Sequence, residues 1–418
     1  MPFDDRDFPG LPKGERAASP RARRAVANWL YIVAFMILIM IALGGAARLT
    51  GSGLSIMEWA PVMGVLPPWT EAEWRRLFAL YQKIPQYSLI NDGFGLEGFK
   101  QIFWLEWIHR FWGRLLGIVF LGPLLWFGLT GRLEQWLAPR LIVFFVLGGL
   151  QGAMGWFMVA SGFFPDAASV APVRLVAHLV LALLLYSAVL WTALTLRPAG
   201  PMVADAGPIS RYLVWVMAAM VGLTIVAGGF VSGLRAGLTF NTFPWMDGQL
   251  VPPGYAALEP FGRNLIANIA SVQFNHRLLA TLTLLAVAAA TRAVWPYRAQ
   301  LGWRIWAAGT AVLLQYALGI MTLLLVVPAD LAVMHQIGAV LLLTAALVLA
   351  HALHTGRGAA YRTTRKNQPA HGLASRGQAS RGQTGRGQAS HGHQRRASPF
   401  YGFVTRGAAP TRVEDPKP

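Results

Sequence analysis

Long apolar stretches separated by short polar segments dominate this chain. Many of them run for about 20 residues, which is the length an α-helix needs to cross roughly 30 Å of hydrocarbon. Because backbone groups in lipid must satisfy their own hydrogen bonds, stretches of this length predict helices rather than barrel strands. The predicted spans cover residues 27–47, 107–129, 140–160, 173–194, 212–230, 271–294, 303–327 and 331–353. The pattern predicts an all-α polytopic membrane protein with eight transmembrane helices.

Landmarks along the spans repeat between the two halves of the chain. Span one ends in GGAARLTGSGL (44–54) and span five in GGFVSGLRAGL (228–238), while span three holds LQGAMGW (150–156) and span seven LQYALGI (314–320). A four-helix unit returns to the side on which it began, so the two copies have the same orientation, unlike the inverted repeats of many transporters. The predicted architecture is two fused four-helix bundles, 27–196 and 212–353, joined by a cytoplasmic linker at 197–211.

Charge is concentrated in the flanks. Only 13% of residues are charged, against about 25% in soluble proteins, yet the net charge is +18. Lys and Arg are enriched in an arm at 1–26 and in a Gly/Ser/Arg/Gln-rich tail at 354–418, which is predicted to be disordered. The positive-inside rule places both termini in the cytoplasm and the loops 48–106 and 231–270 outside. Membrane topology therefore accounts for the charge, and no nucleic-acid partner is expected.

The two long outer loops are rich in tryptophan, phenylalanine and proline. We expect ordered external caps, with an amphipathic helix at 71–83. The caps could screen sites inside the bundles from water, or their aromatic residues could simply anchor at the membrane interface.

Four histidines occupy repeat-related positions on the second and fourth helix of each half. They are His109 and His178 in the first half and His276 and His335 in the second. A lone intramembrane histidine could hydrogen-bond a neighbouring helix, but four at one level favour ligation. The chain has no cysteine, which excludes thiolate-bound metals. Two imidazoles per bundle suit the iron of a haem, whereas zinc or copper usually takes three or four protein ligands.

An arginine follows one histidine of each pair, in His109-Arg110 and His276-Arg277. Guanidinium groups bind carboxylates with paired donors, so Arg110 and Arg277 are candidate ligands of haem propionates. The alternative is that both arginines snorkel to the interface.

The halves differ at one ionisable position. Glu106 lies three residues before His109, on the same helix face, whereas Gln273 lies three residues before His276. A carboxylate can hold or accept a proton and an amide cannot do so readily, so the first bundle is the predicted reaction site. The alternative is that Glu106 only caps the helix or pairs with Arg110.

Taken together, these motifs resemble the haem A synthases of the alphaproteobacterial and mitochondrial type. The resemblance rests on GGAARLTGSGLSIMEW, EWIHRFWGRLLG, QGAMGWFMVASG, GGFVSGLRAGLTFNTFPWMDG, FNHR and MHQIGA, within residues 27–353. It implies oxidation of a methyl group of haem O by two successive hydroxylations, giving the formyl group of haem A for haem-copper oxidases. Some members carry a cysteine pair in the outer loops, and this chain does not.

The resemblance also implies roles for the site residues. His276 and His335 would ligate the iron of a haem b cofactor, and His109 and His178 would face the iron of the substrate haem. Glu106 would be catalytic together with that second pair. The expected setting is the inner membrane of a bacterium, with the haem sites toward the periplasm. The expected partners are haem O, the bilayer, a haem O synthase and an unidentified electron acceptor; self-association as a homo-oligomer stays open.

Two other functions compete with haem A synthesis. A dihaem cytochrome b that oxidises quinol would stack two haems across the bilayer, and His335 and His351 are spaced about 24 Å apart along one helix, but no other helix repeats that pairing. A transporter or haem-insertion factor could use intramembrane histidines as a proton relay.

Overall fold

The computed structural model describes residues 19–59, 63–165, 167–203 and 205–354. Most of the predicted N-terminal arm and all but the first residue of the predicted tail lie outside these ranges. Within them the chain is almost entirely helical, and its only β pairing is an isolated bridge between Met246 and Gln249.

Eight helices of the described chain are long and apolar enough to cross a membrane, which confirms the prediction of an all-α polytopic membrane protein. They are α1 (Pro20–Leu49), α2 (Leu96–Leu129), α3 (Leu137–Ala160), α4 (Pro172–Leu196), α5 (Pro208–Gly233), α6 (Ile269–Val294), α7 (Trp303–Leu324) and α8 (Ala329–His354).

Helix contacts form two equivalent rings. In the first half α1 and α3 each pack against both α2 and α4, and in the second half α5 and α7 each pack against both α6 and α8. The halves meet where α1 touches α8, where α4 touches α5 and where α4 touches α8. The first two contacts are related by the sequence repeat, because α5 corresponds to α1 and α8 to α4. One apolar core runs through both halves.

Helix α2 begins at Leu96 rather than near residue 107, where the predicted span starts. The added turns carry Phe99 and Phe103, which are buried against Tyr81 and Trp74 of the first outer loop. The hydropathy pattern located the apolar stretch, whereas packing against the loop extends the helix beyond it. His109 therefore lies well inside its helix, although it stays near the start of the apolar stretch.

The first outer loop is ordered by its own helices. The predicted amphipathic helix is present at Glu71–Tyr81, and Thr70 caps it by accepting a hydrogen bond from the Glu73 amide at 3.2 Å. Gln86 fastens the following segment, since its Nε2 donates to the Gly51 carbonyl at 3.0 Å. The second loop is fastened by asparagines: Asn241 donates to the Leu323 carbonyl and Asn268 to that of Gly254.

Arg48 joins the two halves at the end that carries these loops. It lies in the last turn of α1, and its Nη2 donates to the carbonyls of Ser232 and Gly233, both at 3.0 Å. Those carbonyls belong to the last turn of α5 and have no partner within that helix. A side chain from one half thus completes the helix end of the other half.

Candidate functional site

The four repeat-related histidines point into the bundles, one from each even-numbered helix. Each imidazole lies against a glycine of the preceding odd-numbered helix, where a Cβ atom would come within 2.8–3.2 Å of the ring. The four pairs are Gly44 with His109, Gly155 with His178, Gly228 with His276 and Gly319 with His335. Such a contact is tighter than most real Cβ contacts at three of the glycines and too short at Gly319, so the glycines provide the space in which these rings sit.

Within each half the two imidazoles lie near enough for the charge of one to influence the other, His109 with His178 and His276 with His335. The structure therefore brings the members of each predicted pair together. Nδ1 of His109, His178 and His276 is buried and has no hydrogen-bond partner. Buried polar atoms are normally paired, so these nitrogens indicate rings shaped for a partner that the chain itself does not supply.

Two glutamines that the sequence reasoning missed hold the second histidine of each pair. Gln315 Nε2 donates to the His335 carbonyl at 2.8 Å and lies 3.0 Å from His335 Nδ1. Gln151 Nε2 donates to the His178 carbonyl at 3.0 Å. Both occupy the same place in the repeated LQ dipeptide of α3 and α7, which was the available signal. Each amide ties helix three of its bundle to helix four beside the imidazole.

These donor sets fit an iron porphyrin. Two largely buried imidazoles from separate helices of one bundle are a ligand set that haem iron commonly takes. Across the described ranges, no group of three or more His, Asp or Glu side chains could hold a metal ion by itself. The assignment of haem b to His276 and His335 stays a prediction.

Glu106 is buried beside the first histidine pair, with 4% of its surface exposed. Its Oε1 accepts a hydrogen bond from Arg110 Nε at 2.7 Å, and its Oε2 lies 3.9 Å from His109 Nδ1. The ion pair that the simpler interpretation predicts is therefore present. The second oxygen of the same carboxylate lies beside the imidazole without a hydrogen bond to it, so pairing with Arg110 does not remove Glu106 from the histidine site.

Gln273, the counterpart of Glu106, also accepts a hydrogen bond from the arginine one turn later, at 3.2 Å, but its amide makes further contacts. Its Nε2 donates to the carbonyl of Ala236 at 2.8 Å and to that of Thr239 at 2.5 Å. An ionised carboxylate cannot donate these bonds. The amide thus fastens the second loop, while the carboxylate of the first half is left to interact with cations.

Arg110 and Arg277 occupy matching positions and hold matching loops. Arg110 donates to the carbonyls of Ile56 and Glu58 at 2.7 and 3.0 Å, and Arg277 donates to those of Phe240 and Thr242. Each guanidinium therefore fastens an outer loop to the helix that bears the first histidine of its own half. Neither arginine simply extends outward, and a propionate contact stays a prediction.

The two halves differ in one contact between their second and third helices. In the second half the Tyr316 hydroxyl lies 3.0 Å from Thr281 Oγ1, joining α7 to α6. The repeat places Gly152 where Tyr316 stands and Arg114 where Thr281 stands. A Cβ atom at Gly152 would meet no heavy atom within 4 Å. The first half thus lacks this contact between its second and third helices.

His351, which a stacked dihaem arrangement would use, packs against an indole instead. Its ring centroid lies 4.9 Å from that of Trp191, and its Nε2 lies 3.4 Å from Thr195 Oγ1. Both partners belong to α4, in the other half of the chain. The surroundings of His351 therefore differ from those of the four glycine-backed imidazoles.

Residues 27–347 match the cytochrome oxidase assembly protein family. The chain belongs to this family. It is 56% identical over 369 residues to the heme A synthase of Granulibacter bethesdensis, an alignment that covers 85% of this chain and 94% of that protein. It is 48% identical over 341 residues to heme A synthase 2 of Acidiphilium cryptum, covering 79% and 92% of the two chains. Heme A synthase of Azorhizobium caulinodans is 45% identical over 352 residues, covering 81% and 96%.

Proposed function

We propose that the protein is a haem A synthase, an oxidoreductase of haem biosynthesis that converts haem O to haem A. Its membership of the cytochrome oxidase assembly protein family and the names of its relatives support this assignment. The geometric observation that carries it is the combination of a buried imidazole pair in each half with a carboxylate in only one of them. That arrangement suits a substrate haem in one bundle and a resident haem in the other.

In this proposal the first bundle binds the substrate. His109 and His178 face the iron of haem O, and Arg110 and the first loop cover the site from outside. The ring methyl is hydroxylated twice. In each hydroxylation one C–H bond is replaced by a C–OH bond; with water as the oxygen source, two electrons pass to the electron acceptor and two protons are released. The resulting geminal diol loses water to leave the formyl group. As the hydroxyl group is added, Glu106 stabilises the positive charge that develops or accepts the proton that is released.

The second bundle binds haem b through His276 and His335. When bound, haem b supplies one-electron redox chemistry beside the substrate site. The chain contributes the ligand pair, the Gln315 bonds that fix His335, and the Gln273 bonds that close the loop. Without a carboxylate at position 273, this bundle lacks the proton-handling group of the first half.

The proposed setting is the inner membrane of a bacterium, with both termini in the cytoplasm and the histidine pairs toward the periplasm. The basic flanks support this orientation. Since haem O is apolar, it would pass to the protein within the bilayer from a haem O synthase, and an electron acceptor would remove the electrons. The product would serve haem-copper oxidases.

The deciding experiment compares purified wild type with His276→Ala and His109→Ala after co-expression with a haem O source. Wild type is expected to contain haem b and to yield haem A in extracted haems. His276→Ala should lose the haem b spectrum, whereas His109→Ala should keep it and lose haem A formation. Wild-type protein that binds no porphyrin, or that keeps haem O unconverted while quinol reduces its haem, would overturn the proposal.

A further inference from the structure

A groove runs between α1 and α2 in the first half, below the histidine pair and toward the linker end of the bundle. It has a volume of about 560 Å³ and is lined almost entirely by apolar groups, among them Trp29, Ile32, Val119, Pro123 and Trp126. Ile32 and Trp126 are half exposed at its rim. Counted along α2 from His109, it begins about 15 Å away at Val119 and extends to about 27 Å at Phe127.

The indole of Trp29 forms the floor of the groove and is fixed by a hydrogen bond to α2. Pro123 lies inside α2 and has no N–H, so the Val119 carbonyl, four residues earlier, has no helical donor. Trp29 Nε1 donates to that carbonyl at 2.8 Å. The Trp29 ring is itself packed between Phe120 and Phe127, at centroid distances of 5.2 and 5.7 Å. The proline and the tryptophan therefore form one ordered unit and do not leave a loose gap.

Indole side chains also set the spacing of the two helices. Besides Trp29, Trp112 of α2 donates to the Met36 carbonyl of α1 at 2.9 Å. An indole N–H lies much farther from its own backbone than a hydroxyl does. Helices joined in this way stay apart and leave a space between them.

In the second half, at the equivalent position, α5 and α6 pack closely where the first half has the groove. The repeat puts Ala290 where Pro123 stands, and Ala290 is fully buried. There α5 and α6 are joined by short hydroxyl contacts: Ser210 donates to the Ala293 carbonyl at 2.9 Å, and Thr283 donates to that of Met220 at 3.2 Å. Met220 is the repeat counterpart of Met36, so an indole in one half is replaced by a hydroxyl in the other.

We infer that this groove binds the isoprenoid tail of haem O, an inference that rests on the proposed function. Haem O carries such a tail on the rim of its macrocycle and haem b does not. The groove lies in the half assigned to haem O and is closed in the half assigned to haem b. It lies on the helix that bears His109, farther toward the linker end, and its apolar walls match a hydrocarbon chain. With propionates directed to the loops, the tail leaves the opposite rim toward the groove.

The test compares binding of haem O with binding of tailless haem B at the first site. A Cβ atom at Gly122, on the groove wall, would meet nothing within 4 Å, and the same holds at Gly309 of α7. Gly122→Leu would place a side chain in the groove with no clash at its Cβ atom, and Gly309→Leu is a glycine-to-leucine control in the other half. A second filling variant is Ala25→Phe on the α1 wall. The protein is purified with its resident haem and titrated spectroscopically with each haem.

Wild type should bind haem O more tightly than haem B. Gly122→Leu and Ala25→Phe should weaken haem O by about tenfold or more, leave haem B unchanged, and so remove the preference. Gly309→Leu should behave as wild type. Equal affinity of wild type for the two haems, or filling variants that keep haem O affinity, would overturn the inference. Native mass spectrometry that finds a phospholipid retained in the groove beside bound haem O would overturn it as well.

Failure of the proposed function would look different. In that case neither haem would bind in a His109-dependent manner, so His109→Ala would give the same titration as wild type. The tail inference fails alone if His109→Ala abolishes binding of both haems while the groove variants change neither.

Discussion

Arg110 Nε donates to Glu106 Oε1 at 2.7 Å. The two residues are one helical turn apart on α2, and their side chains are largely buried beside His109. The guanidinium holds the carboxylate in one orientation while its other nitrogens hold the first loop. The second carboxylate oxygen is thereby kept on the side of the imidazole. One arginine thus links closure of the loop to placement of the acid.

Replacing Glu106 with glutamine should reduce haem A formation by at least about 100-fold, since an amide cannot take part in proton transfer. The protein should still fold and keep its haem b, because Gln273 shows that the same fold accommodates an amide at this place. Chromatography of extracted haems and the haem b spectrum measure the two effects. Haem A at the wild-type level would refute a catalytic Glu106.

The reverse exchange, Gln273→Glu, is the matched control. It removes the donor to Ala236 and Thr239, so it should lower the free energy of unfolding by about 1–3 kcal/mol. Turnover by the folded fraction should be nearly unchanged, because this glutamine lies outside the proposed reaction site.

Arg110→Lys should weaken both the loop and the turnover. A lysine ammonium cannot reproduce the fork that reaches Glu106 and two loop carbonyls together. We expect thermal unfolding in detergent to show a loss of about 1–3 kcal/mol. Arg277→Lys should give a similar loss of stability with a smaller effect on turnover, since Arg277 pairs with a glutamine. Equal turnover of the two variants would contradict the coupling between Arg110 and Glu106.

Gly319→Ala should disturb haem b retention. The added methyl would lie 2.8 Å from Cε1 of His335, so the imidazole must move. Overpacking of this kind costs about 1–3 kcal/mol. The control is Gly309→Ala on the same helix, where the methyl meets open space and should be neutral or stabilising by up to about 1 kcal/mol. Haem-to-protein ratios after purification measure the difference, and equal ratios would contradict the packing argument.

The first outer loop should become less stable at acid pH, because protonation of Glu58 removes an ion pair. A hydrogen-bonded ion pair with Arg76, with Nη1 to Oε1 at 2.8 Å, lowers the pKa of the Glu58 carboxyl. Because the folded pKa lies below the unfolded value of about 4.3, the pair stabilises the loop above that value. This stability is lost as pH falls through the folded pKa. Both side chains are well exposed, so the effect should stay below about 1 kcal/mol.

Hydrogen exchange of the 63–95 segment between pH 6 and pH 3 would measure this loosening. The matched variant is Arg76→Ala, which should show faster exchange at pH 6 and less change on acidification. A wild-type loop whose exchange protection does not respond to pH across that window would contradict a role for Glu58.

Hydropathy alone predicted the eight helices, because each must satisfy its backbone internally over a fixed length. It misplaced the start of α2, since Phe99 and Phe103 are buried by a loop and not by lipid. The level of the four histidines followed from the repeat. The repeat did not predict the glycine that faces each imidazole ring, because contacts between helices depend on how each helix is rotated about its axis.

The asymmetry of Glu106 and Gln273 was visible in the sequence, but their partners were not. Which loop carbonyls each side chain meets depends on loop folding, which no periodicity encodes. The sequence likewise shows no sign that Trp29 and Pro123 are connected. In the structure Trp29 donates to the Val119 carbonyl that Pro123 leaves without a helical donor. The predicted tail beyond residue 354 lies outside the described residues, so its assignment stays a prediction.

The two rings of helices have a consequence for how such a protein could arise. Two separate copies of one four-helix chain, assembled as a symmetric dimer, would carry identical side chains at every equivalent position. An acid at position 106 would then appear in both subunits, and so would the indole that holds α1 away from α2. Joining the copies into one polypeptide lifts that constraint, because each half can then change without its twin. Division of labour between the halves depends on that covalent fusion.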